Sequence, residues 1–128
     1  MASGIMPSPF PTITTYGNSA VTYNSDLVNS NPDNQFQAHK FGKLVLIEGG
    51  VQIKANVASS AGTVFAELPT ELAPAYIGRG WFMNTGGSFV RYGGVQMYNG
   101  KPIIYMNAPN FSSSPYMMYK IVYIAQNP

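Results

Sequence analysis

Apolar and polar residues in this chain alternate with a period near two rather than 3.6, which is the pattern of strands. The cleanest stretch is Val51 to Val57, where Val51, Ile53, Ala55 and Val57 interleave with Gln52, Lys54 and Asn56. This predicts a strand with one face in a core and the other in water. Phe41 to Glu48 is apolar on both faces, as in a strand covered on both sides, and Gly49-Gly50 reads as the turn that ends it. Thr63 to Leu68, Ala75 to Met83, Ser88 to Tyr92, Val95 to Tyr98, Lys101 to Met106 and Tyr116 to Ala125 complete the main set of predicted strands. Ser59-Ser60-Ala61-Gly62 and Asn84-Thr85-Gly86-Gly87 read as turns. Asn99-Gly100, between two strands, predicts a two-residue hairpin, because both central positions of such a turn need positive φ. Pro69 and Pro74 bracket a compact loop, since each removes a ladder donor. No window of eleven or more residues has helical periodicity, and Thr70 to Ala73 offers at most one helical turn.

Ahead of this set lies a segment with weaker signals. Pro7, Pro9 and Pro11 cluster near the start, and Asn31-Pro32-Asp33-Asn34 reads as a turn. Thr12 to Tyr16 and Ala20 to Tyr23 carry β-favouring residues suited to short edge strands. The chain therefore divides into residues 1–34, an extended segment or linker able to supply edge strands, and residues 35–128, a β head domain. Many short strands with Gly, Asn and Pro turns predict an all-β fold: a compact antiparallel β-barrel or jelly-roll-like β-sandwich with little or no helix.

Composition narrows the function classes. The 128 residues suffice for one domain with a core of its own. There is no Cys, which removes disulfides, a thiolate nucleophile and a Cys-based zinc site. Charged residues make up 9% of the chain, against about 25% in an average soluble domain. The basic residues Lys40, Lys43, Lys54, Arg79, Arg91, Lys101 and Lys120 are scattered and form no stripe, so nucleic-acid binding is not expected. No apolar run is long enough for a membrane-spanning helix, and the N-terminus has no basic segment followed by an apolar one. Such a surface stays soluble through neutral polar groups, which also suit uncharged ligands such as sugars.

Three stretches together resemble a known family. Phe41 to Val51 is a glycine-led strand followed by a glycine pair and a second strand. Leu68-Pro69-Thr70-Glu71-Leu72-Ala73-Pro74 is a leucine–proline, three residues, proline element, and Lys120 to Ala125 is an apolar strand almost at the C-terminus. Their order resembles the C-terminal head domains of bacteriophage tail fibres and baseplate receptor-binding proteins, over residues 35–126. The resemblance implies a non-catalytic, homotrimeric head on the virion that acts outside the cell, binds a host cell-surface saccharide and docks other tail or baseplate proteins. Family ligand residues vary too widely to be carried onto positions here. Three alternatives stay open: a structural tail-fibre or baseplate subunit that binds no glycan, a fragment of a glycan depolymerase, and a lectin of non-viral source.

Candidate residues follow from chemistry. Trp81 offers an apolar ring for stacking on a pyranose, with an N–H left to donate. Arg79 and Arg91 can donate several hydrogen bonds to hydroxyls or to a phosphate group, and Tyr92 combines a ring with a hydroxyl. The ligand-binding set expected from sequence is therefore Trp81, Arg79, Arg91 and Tyr92; no cofactor is expected. His39 is the lone histidine and no nucleophile-elbow sequence is present, so no triad is expected. The acids Asp26, Asp33, Glu48, Glu67 and Glu71 have no spacing that argues for a catalytic pair or a metal site. The glycine-rich Gly78-Arg79-Gly80, Gly86-Gly87 and Gly93-Gly94 do not precede a helix and read as bulges and turns rather than phosphate loops. Met97, Met106, Met117 and Met118 read as gap fillers. Leu44 to Ile47, Pro102 to Met106 and Ile121 to Ala125 are apolar on both strand faces, so a second face is expected to be covered by another subunit.

Overall fold

The computed structural model describes residues 12–57 and 63–128. Nine antiparallel strands form one curled sheet, a half-barrel: β1 Ile13–Tyr16, β2 Thr22–Tyr23, β3 Gln35–Phe41, β4 Leu44–Gln52, β5 Thr63–Glu67, β6 Gly78–Asn84, β7 Val90–Tyr98, β8 Lys101–Met106 and β9 Tyr116–Ile124. Their order across the sheet is β1-β3-β4-β9-β6-β7-β8-β5-β2. The two outermost strands are thus consecutive in the chain. Residues 17–21 join them, and that length spans at most about 20 Å. The two edges are therefore held near one another, and the sheet between them has to curl around its own core.

The gap between the edges is spanned by the segment between β2 and β3. At one end the Asn24 N–H donates to the Phe65 carbonyl at 2.8 Å, and the Asn24 amide to Val64 O at 2.9 Å. At the other end Val28 bridges Ile53, and Asn29 N donates to Gln52 O at 3.0 Å. Asn34 joins these pieces: its Oδ1 accepts from Gln52 N at 2.9 Å while its Nδ2 donates to Asn29 O at 2.8 Å. Asn18 Oδ1 accepts from Phe36 N at 2.7 Å. Asparagine side chains here stand in for the ladder groups of an absent strand. Val21, Leu27 and Val28 are buried with the main core, so residues 12–34 pack into the same body as the rest.

Inward-facing residues alternate as expected of a half-buried sheet. On β9, Met117, Tyr119, Ile121 and Tyr123 are buried, while Met118, Lys120, Val122 and Ile124 are exposed. Phe65, Phe82 and Tyr119 meet at the centre with ring centroids 5.3 to 5.6 Å apart. The far end of the barrel is plugged by the proline loop, whose single 3-10 turn Thr70–Leu72 buries Leu72. Two inward side chains hold it. Tyr123 Oη donates to Leu72 O at 2.7 Å, and Lys40, 6% exposed, donates from Nζ to Glu71 O at 2.7 Å.

The all-β expectation holds, as do the short helical turn and the Asn99-Gly100 hairpin, whose residues have φ of 50° and 77°. Several boundaries differ. Gly49-Gly50 is not a turn: β4 runs straight through it, pairing Gly49 with Tyr119 and Gly50 with Met118 on β9. The turn lies earlier, at Gly42-Lys43, where Gly42 has a φ of 60°. The strand expected over Val51 to Val57 stops at Gln52. Ile53 bridges Val28 and donates to Pro115 O at 3.0 Å outside any named strand, and Asn56 turns the chain with a φ of 57°. Gly93-Gly94 lies inside β7, where a side chain on Gly94 would collide with the Gly78 carbonyl of the adjoining strand. Ala20 closes a 3-10 turn rather than opening a strand. The expected turn at Ser59 to Gly62 and the cluster Pro7, Pro9 and Pro11 lie outside the described residues. The expectation that Pro102 to Met106 needs a partner is also corrected: these residues are buried on both faces within one chain.

Replacing Asn34 with Ala should destabilise the fold by about 1–3 kcal/mol, because it removes one bond that ties the gap segment to β4 and one that holds the segment to itself. Asp at this position keeps the acceptor and should lose less; urea denaturation of both variants checks the order. Burial holds the phenols of Tyr119 and Tyr123 well above their usual range, with neighbouring tyrosines adding to the effect. A raised folded-state pKa favours the protonated form, so stability should be flat through neutrality and fall once pH rises above the unfolded tyrosine value of about 10. Thermal melts between pH 8 and 11.5 test this.

Candidate functional site

Register determines which outward side chains stand together. Across the outer face, Gln37 pairs with Glu48, Glu48 with Lys120, Lys120 with Trp81, and Trp81 with Tyr92. The next row runs Gln35, Gly50, Met118, Met83 and Val90. Gly50 puts no side chain of its own in that row and, with Tyr116, belongs to the lining of an open groove of about 920 Å³. Trp81, Met83 and Met118 line its apolar side, Gln35 and Gln37 line the other, and Glu48 with Lys120 crosses between them.

Gly50 has a second consequence. The Tyr116 ring lies across the strand at this point, where a β-carbon would overlap it. That position lets Tyr116 Oη donate to Asp33 O at 2.6 Å, tying the groove floor to the gap segment. Partial burial, and then the Asp33 carboxylate, push the Tyr116 phenol up, so it stays a neutral donor at ordinary pH.

Trp81 is 63% exposed, a large apolar surface to leave in water. Its ring meets Tyr92 edge-on, with centroids 6.5 Å apart and planes at 80°, which fixes its orientation from one side. On the other side Lys120 Nζ is 3.6 Å from Glu48 Oε2, a loose and solvent-exposed pair. Arg79 lies two residues before Trp81 on the same face of β6, exposed, and makes no ion pair or hydrogen bond among the described residues.

Of the four residues expected from sequence, Trp81 alone lines the groove: Tyr92 stands beside it on the same face, Arg79 lies one row beyond it on the side away from Met83, and Arg91 is separated from both. Arg91 pairs across the strands with the fully buried Phe82 and faces the other way. Its guanidinium sits 4.6 Å over the Phe111 ring, donating from Nε to Ala108 O at 2.9 Å and from one terminal nitrogen to Val90 O at 3.0 Å. It secures the loop between β8 and β9 and is remote from the groove. The alternation of strands carried this information, since Arg91 and Tyr92 are neighbours and must point to opposite faces.

The sequence did not single out Gln35, Gln37, Lys120, Met118 or Gly50 as parts of a site, and Glu48 entered only among acids without a telling spacing. Their one signal was a glycine inside an apolar strand, which marks a close approach as well as a turn. His39 Nδ1 lies 3.2 Å from Thr15 Oγ1 on the exposed face, with no acid in the contact. Among the described residues, no group of three or more His, Asp or Glu side chains is placed to hold a metal ion.

Compared with models of known protein families, the chain matches none, and no curated protein is similar to it in sequence.

Replacing Gly50 with Ala should push the Tyr116 ring aside and break its bond to Asp33, costing about 1 kcal/mol in denaturant titrations. The same change raises the groove floor and should weaken any ligand bound there.

Proposed function

We propose that this protein is a non-catalytic module that binds a saccharide in the outer-face groove, as an adhesion domain for a cell-surface glycan. The observation that carries this reading is Trp81: 63% exposed, held by Tyr92 and standing in the wall of a groove. An indole ring fixed in that way offers an apolar platform for the C–H face of a pyranose, while the Gln35 and Gln37 amides opposite can serve its hydroxyls as donors and acceptors. The groove is shallow and open, which fits a weak single-site interaction raised to useful avidity by several copies. The resemblance to phage receptor-binding heads supports a place on a virion tail, acting outside the cell on a bacterial surface saccharide, with a homotrimer as the multivalent form.

A structural reading is favoured by a different observation. Ile13, Phe41, Leu44 and Ile124 are all exposed and form one apolar row across β1, β3, β4 and β9. Such a row suits contact with another virion protein or another copy, without any glycan.

The deciding experiment is a glycan array probed with the native protein and with Trp81→Ala. On the adhesion reading the native protein gives saccharide hits, and the variant, folded as judged by its melting transition, loses at least about tenfold in affinity for them. Hits that survive the substitution unchanged would remove the groove from the proposal. A native protein with no saccharide hits would favour the structural reading.

A further inference from the structure

We infer that copies of this chain associate with one another through the apolar row at the end of the outer face away from the groove; this commits the row of the structural reading above to one occupant and does not depend on the groove. Ile13, Phe41, Leu44 and Ile124 form the row across β1, β3, β4 and β9. Pro74 bridges Ala125, and Ala75 N donates to Ile124 O at 2.8 Å, which brings Tyr76 and Ile77 to the β9 end of the row. These six side chains are between 37% and 78% exposed. Side chains of this kind, about half exposed, present roughly 500 Å² of apolar surface per copy. Apolar residues exposed singly are ordinary, but a contiguous patch of that size marks a contact. Two such patches together remove roughly 1,000 Å² from water, the least that a specific interface needs.

The charges beside the row select a second copy as the occupant. Lys43 is exposed in the turn between Phe41 and Leu44. Glu71 is exposed on the proline loop that plugs the same end of the barrel, where Lys40 holds its carbonyl and Tyr123 holds the next one. Among the described residues neither Lys43 nor Glu71 is in an ion pair, whereas Lys101 pairs with Glu67 and Lys120 with Glu48. Each copy therefore brings both halves of an ion pair to the margins of one apolar patch. Lys43 of one copy can meet Glu71 of the next, twice in a twofold contact and once at each interface of a closed ring. A second copy supplies both matching charges without any further requirement. Along β4 the row lies four residues from Glu48 of the groove, or about 13 Å. Association through the row thus leaves every groove open, and one assembly presents several of them.

The test is light scattering coupled to size-exclusion chromatography on the full chain, from dilute to concentrated protein. The native protein should show a mass that is a whole multiple of the 13.9 kDa chain. Ile13→Lys and Leu44→Lys, both at exposed positions and checked for folding by their melting transitions, should weaken self-association at least about tenfold. Lys43→Glu and Glu71→Lys should each weaken it severalfold, and the two together should restore it, since the exchanged charges again face each other. A native protein that stays monomeric throughout overturns the inference and leaves the row to a different protein. An oligomer unaffected by Ile13→Lys and Leu44→Lys overturns it as well, because the contact then lies elsewhere. Failure of the double exchange to restore association overturns the choice of a second copy argued from Lys43 and Glu71. None of these outcomes bears on the groove, which the glycan array with Trp81→Ala decides separately.

Discussion

The fold depends on joining the two edges of one sheet without pairing them to each other. β1 and β2 are the outermost strands, yet residues 17–21 tie them together in the chain, so the sheet has no freedom to lie flat. A barrel normally closes by a continuous hydrogen-bonded ladder, which removes open edges altogether. Here the gap is spanned by an irregular segment, and the side chains of Asn18, Asn24 and Asn34 meet backbone groups of Phe36, Val64 and Gln52 in the strands beside it. Amide side chains carry both a donor and an acceptor, so one residue can complete two broken ladder positions. The core behind them, centred on Phe65, Phe82 and Tyr119, is enclosed because this segment and the proline loop cover the openings.

The same constraint produces the groove. Tight curling requires strands to approach each other where side chains would collide, and glycine occupies those positions: Gly50 under Tyr116, Gly94 against the Gly78 carbonyl. Both glycines are buried, their side-chain space being taken by the Tyr116 ring at Gly50 and by backbone at Gly94. Around Gly50 and Tyr116 stand long side chains from β3, β9 and β6 that line the groove, so a device that serves packing also takes part in a recess. Candidate function and fold are linked at one residue.

Much of the architecture could be read from the chain because its local chemistry has a single interpretation. Asn99-Gly100 is a turn in almost any setting that flanks it with strands, whereas Tyr116 to Ile124 is apolar on both faces and only its place in the sheet decides which face is buried. The glycine pairs were ambiguous for a physical reason. Glycine serves a reversal and a close approach equally well, and only the partner strand decides which. The candidate site was half legible. Trp81 stood out by type, with Tyr92 beside it, and the opposite facing of Arg91 followed from strand alternation. Gln37, Glu48 and Lys120 did not, because their meeting depends on the register of β3, β4 and β9, which no local pattern specifies.

The placement of the aromatic residues also divides the protein optically. The chain has one tryptophan, and it stands on the outer face beside the groove, whereas the deeply buried rings are phenylalanines and tyrosines. Indole emission therefore reports on the groove and its occupant, from a single residue whose exposure leaves it open to quenchers and to any ligand that covers it. Binding at the groove thus has an intrinsic signal in the unlabelled molecule.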